Sequence, residues 1–295
     1  MRADKSIAAN ADLAESGGGE AGDKGKMPSG TQTLARGLDI LNAVAEGVSS
    51  LSDIAATLGL SRSTVHRLAA TLVDQRYLGF ARNMGYTLGP KLLELGFLAG
   101  RQLSLPRIAR SHLEELAANA GDTVHLAMLD GTRALYLDKI PGRRRVEISS
   151  RIGERQPLRS TGIGKALILG ESEGRWRELY DLEDQAGSRY NVDFVLWLKR
   201  MRDYAARGYA FDLEENEDRI RCVAAPVYDA SGTTIGAISI SSAAQYMDED
   251  RMHRLTDEVR STADAISHDL GWTGKQGAPA AAPAPPIKRA GRGGG

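Results

Sequence analysis

The sequence predicts an α+β chain built from two different domains, and three observations support this prediction. Residues 31–80 place apolar residues at helical spacing, broken only by short turns. Residues 123–241 alternate between strand-like and helix-like runs, which is typical of a central antiparallel sheet with helices packed against it. Between these regions, residues 90–105 show a helical pattern that contains glycines and ends at Pro106, which indicates a connecting helix.

Composition also sets expected domain boundaries. Residues 1–28 and 273–295 are rich in Gly, Ala and charge or in Ala, Pro and Gly, and they hold too few large apolar groups to offset the cost of ordering. We therefore expect both tails to be disordered. The first domain is expected to span residues 29–90, a linker helix residues 91–105, and the second domain residues 106–272.

The bulk composition narrows the class of protein. The 295 residues are 42% hydrophobic and carry 38 basic and 38 acidic groups, which is typical of a soluble globular protein. A single cysteine, Cys222, excludes a disulfide framework and a cysteine-rich zinc site within one chain. Neither a bilayer-spanning run nor a secretory signal is found, so we expect a cytoplasmic protein without cofactors. Zero net charge disfavours nucleic-acid binding unless the basic groups are clustered.

The first domain is predicted to contain three helices. The first carries an apolar stripe of Leu34, Leu38, Leu41 and Ala45, widened by Ile40 and Val44. The second is capped by Ser50 or Ser52, buries Ile54, Ala55 and Leu58, and ends in a turn at Gly59. The third is capped by Ser61 and turns Val65, Leu68, Ala69 and Leu72 inward.

The opposite face of the third helix predicts a DNA contact. It presents hydroxyl and basic groups: Ser61, Arg62, Ser63, Thr64, His66 and Arg67. Arginines can neutralise phosphates or reach guanine edges, and hydroxyls near a helix start can contact backbone oxygens. An ordinary solvated helix face is the alternative. Three short helices with a glycine turn at helix-turn-helix spacing favour DNA.

A hairpin follows the third helix and predicts a wing. Residues 77–80 and 86–88 read as two short strands around a turn at residues 82–85. Arg82 at the tip is placed to touch phosphate or to enter the minor groove, and Arg36 of the first helix is a further candidate contact. The domain is therefore predicted to be a winged helix-turn-helix.

The second domain is predicted from its own residues. Residues 123–128 and 134–139 read as strands joined by an Asp-Gly turn, and residues 222–228 and 234–241 read as a second pair. A helix over residues 194–206 has Leu196, Leu198 and Met201 among its apolar positions. A closing helix, about residues 248–270, has one apolar face formed by Met252, Leu255, Val259, Ala263 and Ile266.

One glycine-rich turn in this domain predicts a ligand site. Residues 161–164, Thr-Gly-Ile-Gly, stand just before an apolar helix, where backbone N–H groups can face an anion. The turn is not a P-loop, which would need Gly at 159 and Ser or Thr at 166, where Arg159 and Ala166 stand. Leu167 occupies the place of the third glycine of a dinucleotide fingerprint, so that motif fails as well.

The motifs together resemble the IclR family of bacterial transcription regulators over about residues 31–270. In the first domain, the matching runs are residues 50–55 (SLSDIA), 60–68 (LSRSTVHRL) and 86–96 (YTLGPKLLELG). In the second domain, they are residues 157–166 (PLRSTGIGKA), 207–216 (RGYAFDLEEN), 221–227 (RCVAAPV) and 237–241 (AISIS).

The resemblance implies a winged-helix domain, a linker helix that dimerises and a GAF-like effector domain. It also implies a homodimer or homotetramer on palindromic operator DNA, commonly a repressor of a catabolic operon that responds to a small organic, aromatic or sugar-derived acid. Carried over from the family, the effector residues are Thr161, Gly162, Ile163, Asp212, Cys222, Ser239 and Ser241. Two positions depart from the family pattern: Arg219 and Ser242 stand where glycines are usual.

Two other readings compete with this one. In an enzyme, Cys222 and His125 could form a nucleophile–base pair, although a lone cysteine in an apolar strand is far more often a small buried residue. A GAF-type sensor could act through protein partners without DNA, which the first domain argues against. Arg143, Arg144 and Arg145 are expected to be solvated, with attraction for an anionic ligand as the alternative.

Overall fold

The computed structural model describes residues 29–144, 148–185 and 192–274. The chain divides into two compact units, one ending at Gly100 and the other beginning at Arg101. The disorder predicted for residues 1–28, and for the second tail from residue 275 onward, falls outside the described residues.

The first unit contains the predicted three helices and hairpin. Its elements are α1 (Ser29–Ala45), α2 (Leu51–Leu58), α3 (Arg62–Asp74), β1 (Leu78–Ala81), β2 (Gly85–Leu88) and α4 (Pro90–Gln102). Ser50, not Ser52, caps α2 by accepting a hydrogen bond from the Asp53 amide at 3.1 Å. Gly59 adopts the left-handed conformation, φ 62°, that ends α2 and turns the chain toward α3.

The core of this unit corrects the predicted face of α1. Ile40 and Val44 are buried with residues of α2, α3 and the hairpin, whereas Leu34 and Leu38 are 65% and 52% exposed. Ala45 is exposed as well. The prediction is therefore confirmed for Ile40 and Val44, and for Leu41, which is partly buried against this core. It is wrong for Leu34, Leu38 and Ala45, which lie on the solvent side of α1.

The hairpin and the junction helix follow in order. β1 and β2 pair antiparallel, with Leu78 opposite Leu88 and Ala81 opposite Gly85, which confirms the predicted strands. The helix predicted over residues 90–105 ends at Gln102. Pro106 lies in the first turn of the next helix, where its missing N–H costs nothing, and so it helps to open a helix instead of ending one.

The second unit is an antiparallel sheet with helices on both faces, as the sequence predicted. Its elements are α5 (Leu105–Ala120), β3 (Thr123–Asp130), β4 (Arg133–Ile140), β5 (Arg155–Gln156), α6 (Gly162–Leu167), α7 (Glu173–Gln185), α8 (Phe194–Arg207), β6 (Ala210–Leu213), β7 (Ile220–Tyr228), β8 (Thr234–Ala243) and α9 (Glu249–Asp269). The strands lie in the order β5-β4-β3-β8-β7-β6.

Two hydrophobic cores hold the sheet between its helices. On one face, α5 and α9 pack against the central strands, and α9 buries the predicted stripe of Met252, Leu255, Val259, Ala263 and Ile266. On the other face, α6, α7 and α8 pack around Trp197 and Met201. The buried residues of α8 are Trp197, Met201 and Tyr204. Of the apolar positions named from the sequence, Met201 is buried, Leu198 is half-buried and Leu196 is 42% exposed.

α6 lies so close to the preceding loop that Gly164 has no room for a side chain. A Cβ there would lie 2.5 Å from the Pro157 carbonyl oxygen and 2.6 Å from the Leu158 Cα. We expect Gly164→Ala to destabilise the protein by about 1–3 kcal/mol, the usual cost of overpacking. Gly170→Ala is the matched control, since its nearest contact is 3.7 Å away. Urea unfolding measures both variants, and equal midpoints would contradict the tight approach of α6.

Candidate functional site

The first candidate site is the outward face of α3. Val65, Leu68 and Ala69 are buried in the core, which commits one side of the helix to packing. The predicted contact residues on the other side, Arg62, Ser63, His66 and Arg67, are exposed, and Thr64 is half-buried. The helix therefore holds a basic and polar side free of the core of its own unit.

The start of α3 is tied together by hydroxyl groups. The Ser61 Oγ accepts a hydrogen bond from the Thr64 amide at 3.2 Å and lies 2.8 Å from the Thr64 Oγ1. Arg62 reaches back to α2, where its guanidinium donates to the Ser52 Oγ. This contact braces the Arg62 side chain along the turn between α2 and α3.

The remaining candidates of this unit lie on other elements. Arg82 is exposed in the turn between β1 and β2, as predicted for a wing tip. Arg36 lies in α1 and is half-buried. The basic candidates of the first unit therefore lie on α1, α3 and the wing, and three of them, Arg62, His66 and Arg67, are exposed on α3.

The second candidate site is a row of buried polar groups across the sheet of the second unit. Asp212 of β6 stands opposite Cys222 of β7, and Cys222 stands opposite Ser241 of β8. Directly paired residues share one face of a sheet, and Ser239, two residues before Ser241, lies on that face too. All four are at most 7% exposed.

The N-terminus of α6 lies directly on this row. The Thr161 Oγ1 accepts a hydrogen bond from the Gly164 amide at 3.0 Å and donates to the Pro157 carbonyl at 2.6 Å. A Cβ on Gly162 would lie 2.5 Å from the Cys222 Sγ and 3.1 Å from the Asp212 amide nitrogen. The glycine is thus needed for this close approach, and the structure brings Gly162, Asp212 and Cys222 together as the sequence reasoning expected.

Two charged residues that the sequence reasoning missed belong to the same cluster. Lys165 of α6 is buried, and its Nζ donates to the Phe211 carbonyl at 2.8 Å and pairs with Glu215. The Asp212 Oδ1 accepts a hydrogen bond from the Glu215 amide at 2.8 Å. Burial raises the pKa of Asp212 and lowers that of Lys165, while the charge of each opposes the effect on the other. The sequence held one signal of this burial, because Lys165 stands among the apolar residues Ile163, Ala166 and Leu167.

His125 of β3 closes the row at its other end. Its Nε2 lies 2.7 Å from the Ser150 Oγ, its Nδ1 lies 3.5 Å from the Ser241 Oγ, and its ring stacks on Tyr136 at 4.8 Å. Burial, with help from the positive charge of Lys139, lowers the pKa of His125 to about 3. The imidazole is therefore neutral at physiological pH.

The enzyme reading loses its support at this site. Burial raises the pKa of the Cys222 thiol to about 12, so the thiolate needed for nucleophilic attack is strongly disfavoured. The hydrogen-bonding partners of His125 are serines. Cys222 thus behaves as a small buried residue that packs under Gly162.

The two departures from the family pattern have local explanations. Arg219 adopts φ 64°, so the loop keeps the left-handed conformation that glycine would favour, and its side chain is exposed. Ser242 faces away from the polar row and donates to the Asp122 Oδ1 at 2.7 Å.

Asp122 also explains the predicted basic run. Its Oδ1 accepts from the Arg144 Nε at 2.6 Å, and the Arg143 guanidinium donates to the Ala118 carbonyl at 2.6 Å. Both arginines are nevertheless exposed, as expected of a solvated run, and their guanidinium contacts anchor the end of α5. Arg145 lies outside the described residues.

Within residues 29–144, 148–185 and 192–274, no three His, Cys, Asp or Glu side chains are grouped so that they could hold a metal ion. No helix in the same ranges has both the length and the apolar character that a membrane crossing requires.

Comparison with known proteins identifies the family of both units. The family model for the IclR helix-turn-helix domain matches residues 33–80, and the model for the bacterial transcriptional regulator IclR C-terminal domain matches residues 99–268. The chain is 34% identical over 247 residues to the HTH-type transcriptional regulator XynR of Escherichia coli, covering 82% of this chain and 98% of XynR. It is 31% identical over 250 residues to the HTH-type transcriptional repressor AllR of Salmonella typhimurium, covering 82% and 91%. The crystal structure of Pseudomonas aeruginosa HmgR matches with a TM-score of 0.70 at 26% identity, covering 82% and 99%.

The lowered pKa of His125 predicts a loss of stability in acid. In the unfolded chain, His125 binds a proton below its ordinary pKa of 6.5, whereas in the folded protein its pKa is about 3 and it stays neutral down to that pH. The stability of the folded protein therefore falls as the pH drops through this window. We expect His125→Gln to flatten the fall in unfolding free energy by roughly 1.4 kcal/mol per pH unit. Urea titrations between pH 7 and pH 4 measure this slope.

His268→Gln serves as the control, since the His268 side chain is 83% exposed and the substitution should leave the slope nearly unchanged. If His125→Gln kept the wild-type slope, the conclusion that the buried His125 imidazole is neutral would be wrong.

Proposed function

The chain belongs to the IclR family of bacterial transcriptional regulators, and we propose that it represses a catabolic operon by binding operator DNA through α3 and the wing. A small anionic metabolite, an organic or sugar acid, controls this binding from the second domain. The protein works in the cytoplasm, where its operator lies. The proposed division is residues 29–90 for DNA binding, 91–105 for the linker and 106–272 for the effector, with tails at 1–28 and 273–295.

The observation that carries the DNA-binding proposal is the free polar side of α3. Arg62, His66 and Arg67 lie in solvent on a helix whose other side is fixed in the core. A helix held in this way can enter the major groove with its N-terminal residues against base edges. Ser61, Ser63 and Thr64 at its start are suited to phosphate, and Arg82 to the neighbouring backbone or minor groove.

A second copy of the chain would cover exposed apolar residues of α1 and of α4, the helix of the linker. Leu34 and Leu38 of α1 are more than half exposed, and so are Leu93 and Phe97 of α4, at 79% and 67%. Large apolar groups at this exposure favour association. We propose that they form a homodimer interface, which a palindromic operator requires, and that dimers can pair into a homotetramer.

The effector proposal rests on the buried polar row beneath α6. Thr161, Gly162 and Ile163 begin the helix, and Asp212, Cys222, Ser239 and Ser241 lie on the sheet face below it. These buried polar groups can also hydrogen-bond to a polar ligand, which would then replace part of their present contacts. We assign the helix start to a carboxylate of the effector, and Asp212 with the serines to its hydroxyl or carbonyl groups.

Control of DNA binding then follows from linkage. The effector must bind the operator-competent and operator-released arrangements of the DNA-binding domains with different affinities, because equal affinity shifts nothing. In the proposed mechanism, the effector changes the distance between the two α3 helices of the dimer. The two helices then no longer fit the two half-sites of the operator at once.

The DNA-binding proposal predicts a loss of affinity when the α3 arginines are removed. Arg62→Ala and Arg67→Ala should each weaken binding to the DNA upstream of the protein's own gene by about 1–3 kcal/mol where the side chain reads a base. Gel-shift titration at several salt concentrations measures this, since a phosphate contact also lowers the salt dependence.

Arg254→Ala is the matched control, because it removes one positive charge from an exposed position on α9. Wild-type affinity in both α3 variants, or an equal loss in the control, would place the DNA contact elsewhere.

The effector proposal predicts that Asp212→Asn separates the two functions. We expect the concentration of acid needed to release the operator to rise at least tenfold, with operator affinity unchanged, because Asp212 lies among the effector groups and outside the DNA-binding domain. Operator release by pyruvate and gluconate, followed by fluorescence anisotropy, measures both quantities. Asp181→Asn on α7, where the side chain is 45% exposed, is the control. Equal loss of response and operator binding in Asp212→Asn would argue against the assignment.

A further inference from the structure

The buried ion pair between Lys165 and Glu215 borders the polar row and is not among the effector contacts proposed above. The Lys165 side chain is 1% exposed and that of Glu215 is 5% exposed. Taking two such charges out of water costs several kcal/mol, and their attraction repays this only with good geometry and further hydrogen bonds. A hydrophobic pair would fill the same space without the cost of taking charges out of water. The two buried charges therefore point to a functional role.

The position of Lys165 places its charge at the polar row. Its Nζ donates to the Phe211 carbonyl at 2.8 Å, one residue before Asp212. Its charge also acts on both Asp212 and Cys222. A carboxylate ligand beside Asp212 would be repelled by that acid unless a cation stood within reach. Lys165 supplies this cation from α6, the helix whose start faces the row.

Glu215 has a second cationic partner that is closer to solvent. Its Oε1 lies 2.5 Å from the Nη1 of Arg200 in α8, a side chain that is 32% exposed. The carboxylate therefore bridges a buried lysine and a partly exposed arginine. If Lys165 turned to another anion, Glu215 would still be paired with Arg200, and no buried charge would be left bare.

The loop that carries Glu215 is held under strain. Glu214 and Arg219 have φ values of 66° and 64°, a left-handed conformation that is unfavourable for non-glycine residues. Contacts to the site hold this loop in place: the Asp212 Oδ1 accepts the Glu215 amide, and the Ser160 Oγ donates to the Asn216 Oδ1 at 3.1 Å. A change at Glu215 is therefore passed to a loop with stored strain and to α8.

We propose that Lys165 is the specificity residue for the effector carboxylate and that it binds this group by exchanging its ion pair with Glu215. Glu215 is then left on Arg200, and the loop of residues 214–219 is freed from α6. The proposal rests on the effector site proposed above. It adds the residue that distinguishes an acid from its uncharged analogue and the competitor that the acid displaces.

Two substitutions with opposite expected effects test the exchange. Isothermal titration of the full-length protein with pyruvate, and separately with the uncharged pyruvamide, measures binding. We expect Lys165→Met to bind pyruvate at least tenfold more weakly and to lose the preference for pyruvate over pyruvamide. We expect Glu215→Gln to bind pyruvate several-fold more tightly, because the residue that the acid displaces from Lys165 has then lost its charge.

Lys199→Met is the control, since it removes a positive charge from an exposed neighbour of Arg200 and should bind as the wild type does. If both Lys165→Met and Glu215→Gln weakened binding alike, the pair would be structural and the exchange would be wrong. Unchanged binding in Lys165→Met would also overturn it, while leaving the effector site of the wild type intact. If the wild type bound neither pyruvate nor, in a second titration, gluconate, the proposed acid effector would fail first.

Discussion

A polar group can leave water only where it finds a partner, and this constraint shapes the two units in opposite ways. In the second unit, Asp212, Lys165 and His125 are all buried, and each is held by hydrogen bonds or an ion pair from another element. α6 must therefore lie where it does, with Gly162 against Cys222. In the first unit, the core has no place for Arg62, His66 and Arg67, so they stay in solvent on the outer side of α3.

The two arrangements suit two kinds of recognition. A rigid helix with a solvated basic side can meet a large, charged surface such as DNA without any rearrangement of its own core. A row of buried polar groups suits a small ligand, which must replace the contacts that it disturbs. The ion pair of Lys165 with Glu215, shared with Arg200, lies between these cases, because it can change partner at small cost.

Sequence reasoning predicted the features that depend on neighbouring residues. The caps at Ser50 and Ser61, the turn at Gly59 and the hairpin all follow from local spacing, and the structure has them. It failed on α1, where Leu34 and Leu38 formed a better stripe than the residues that are buried, because apolar groups at a surface follow the same spacing as those in a core. It missed the pairing of Lys165 with Glu215, since fifty positions separate them and only the fold brings them together. The polar row was found through the family resemblance, because cross-strand register cannot be read from one strand.

In the proposed complex, two copies of α3 lie in successive major grooves of one operator. Protection of guanine N7 from methylation by dimethyl sulfate tests this arrangement, because N7 faces the major groove. On DNA from upstream of the protein's own gene, we expect protected guanines in two half-sites related by a two-fold axis, about one helical turn or a multiple of it apart. Guanines that stay fully reactive while the protein is bound would show that α3 does not enter the major groove.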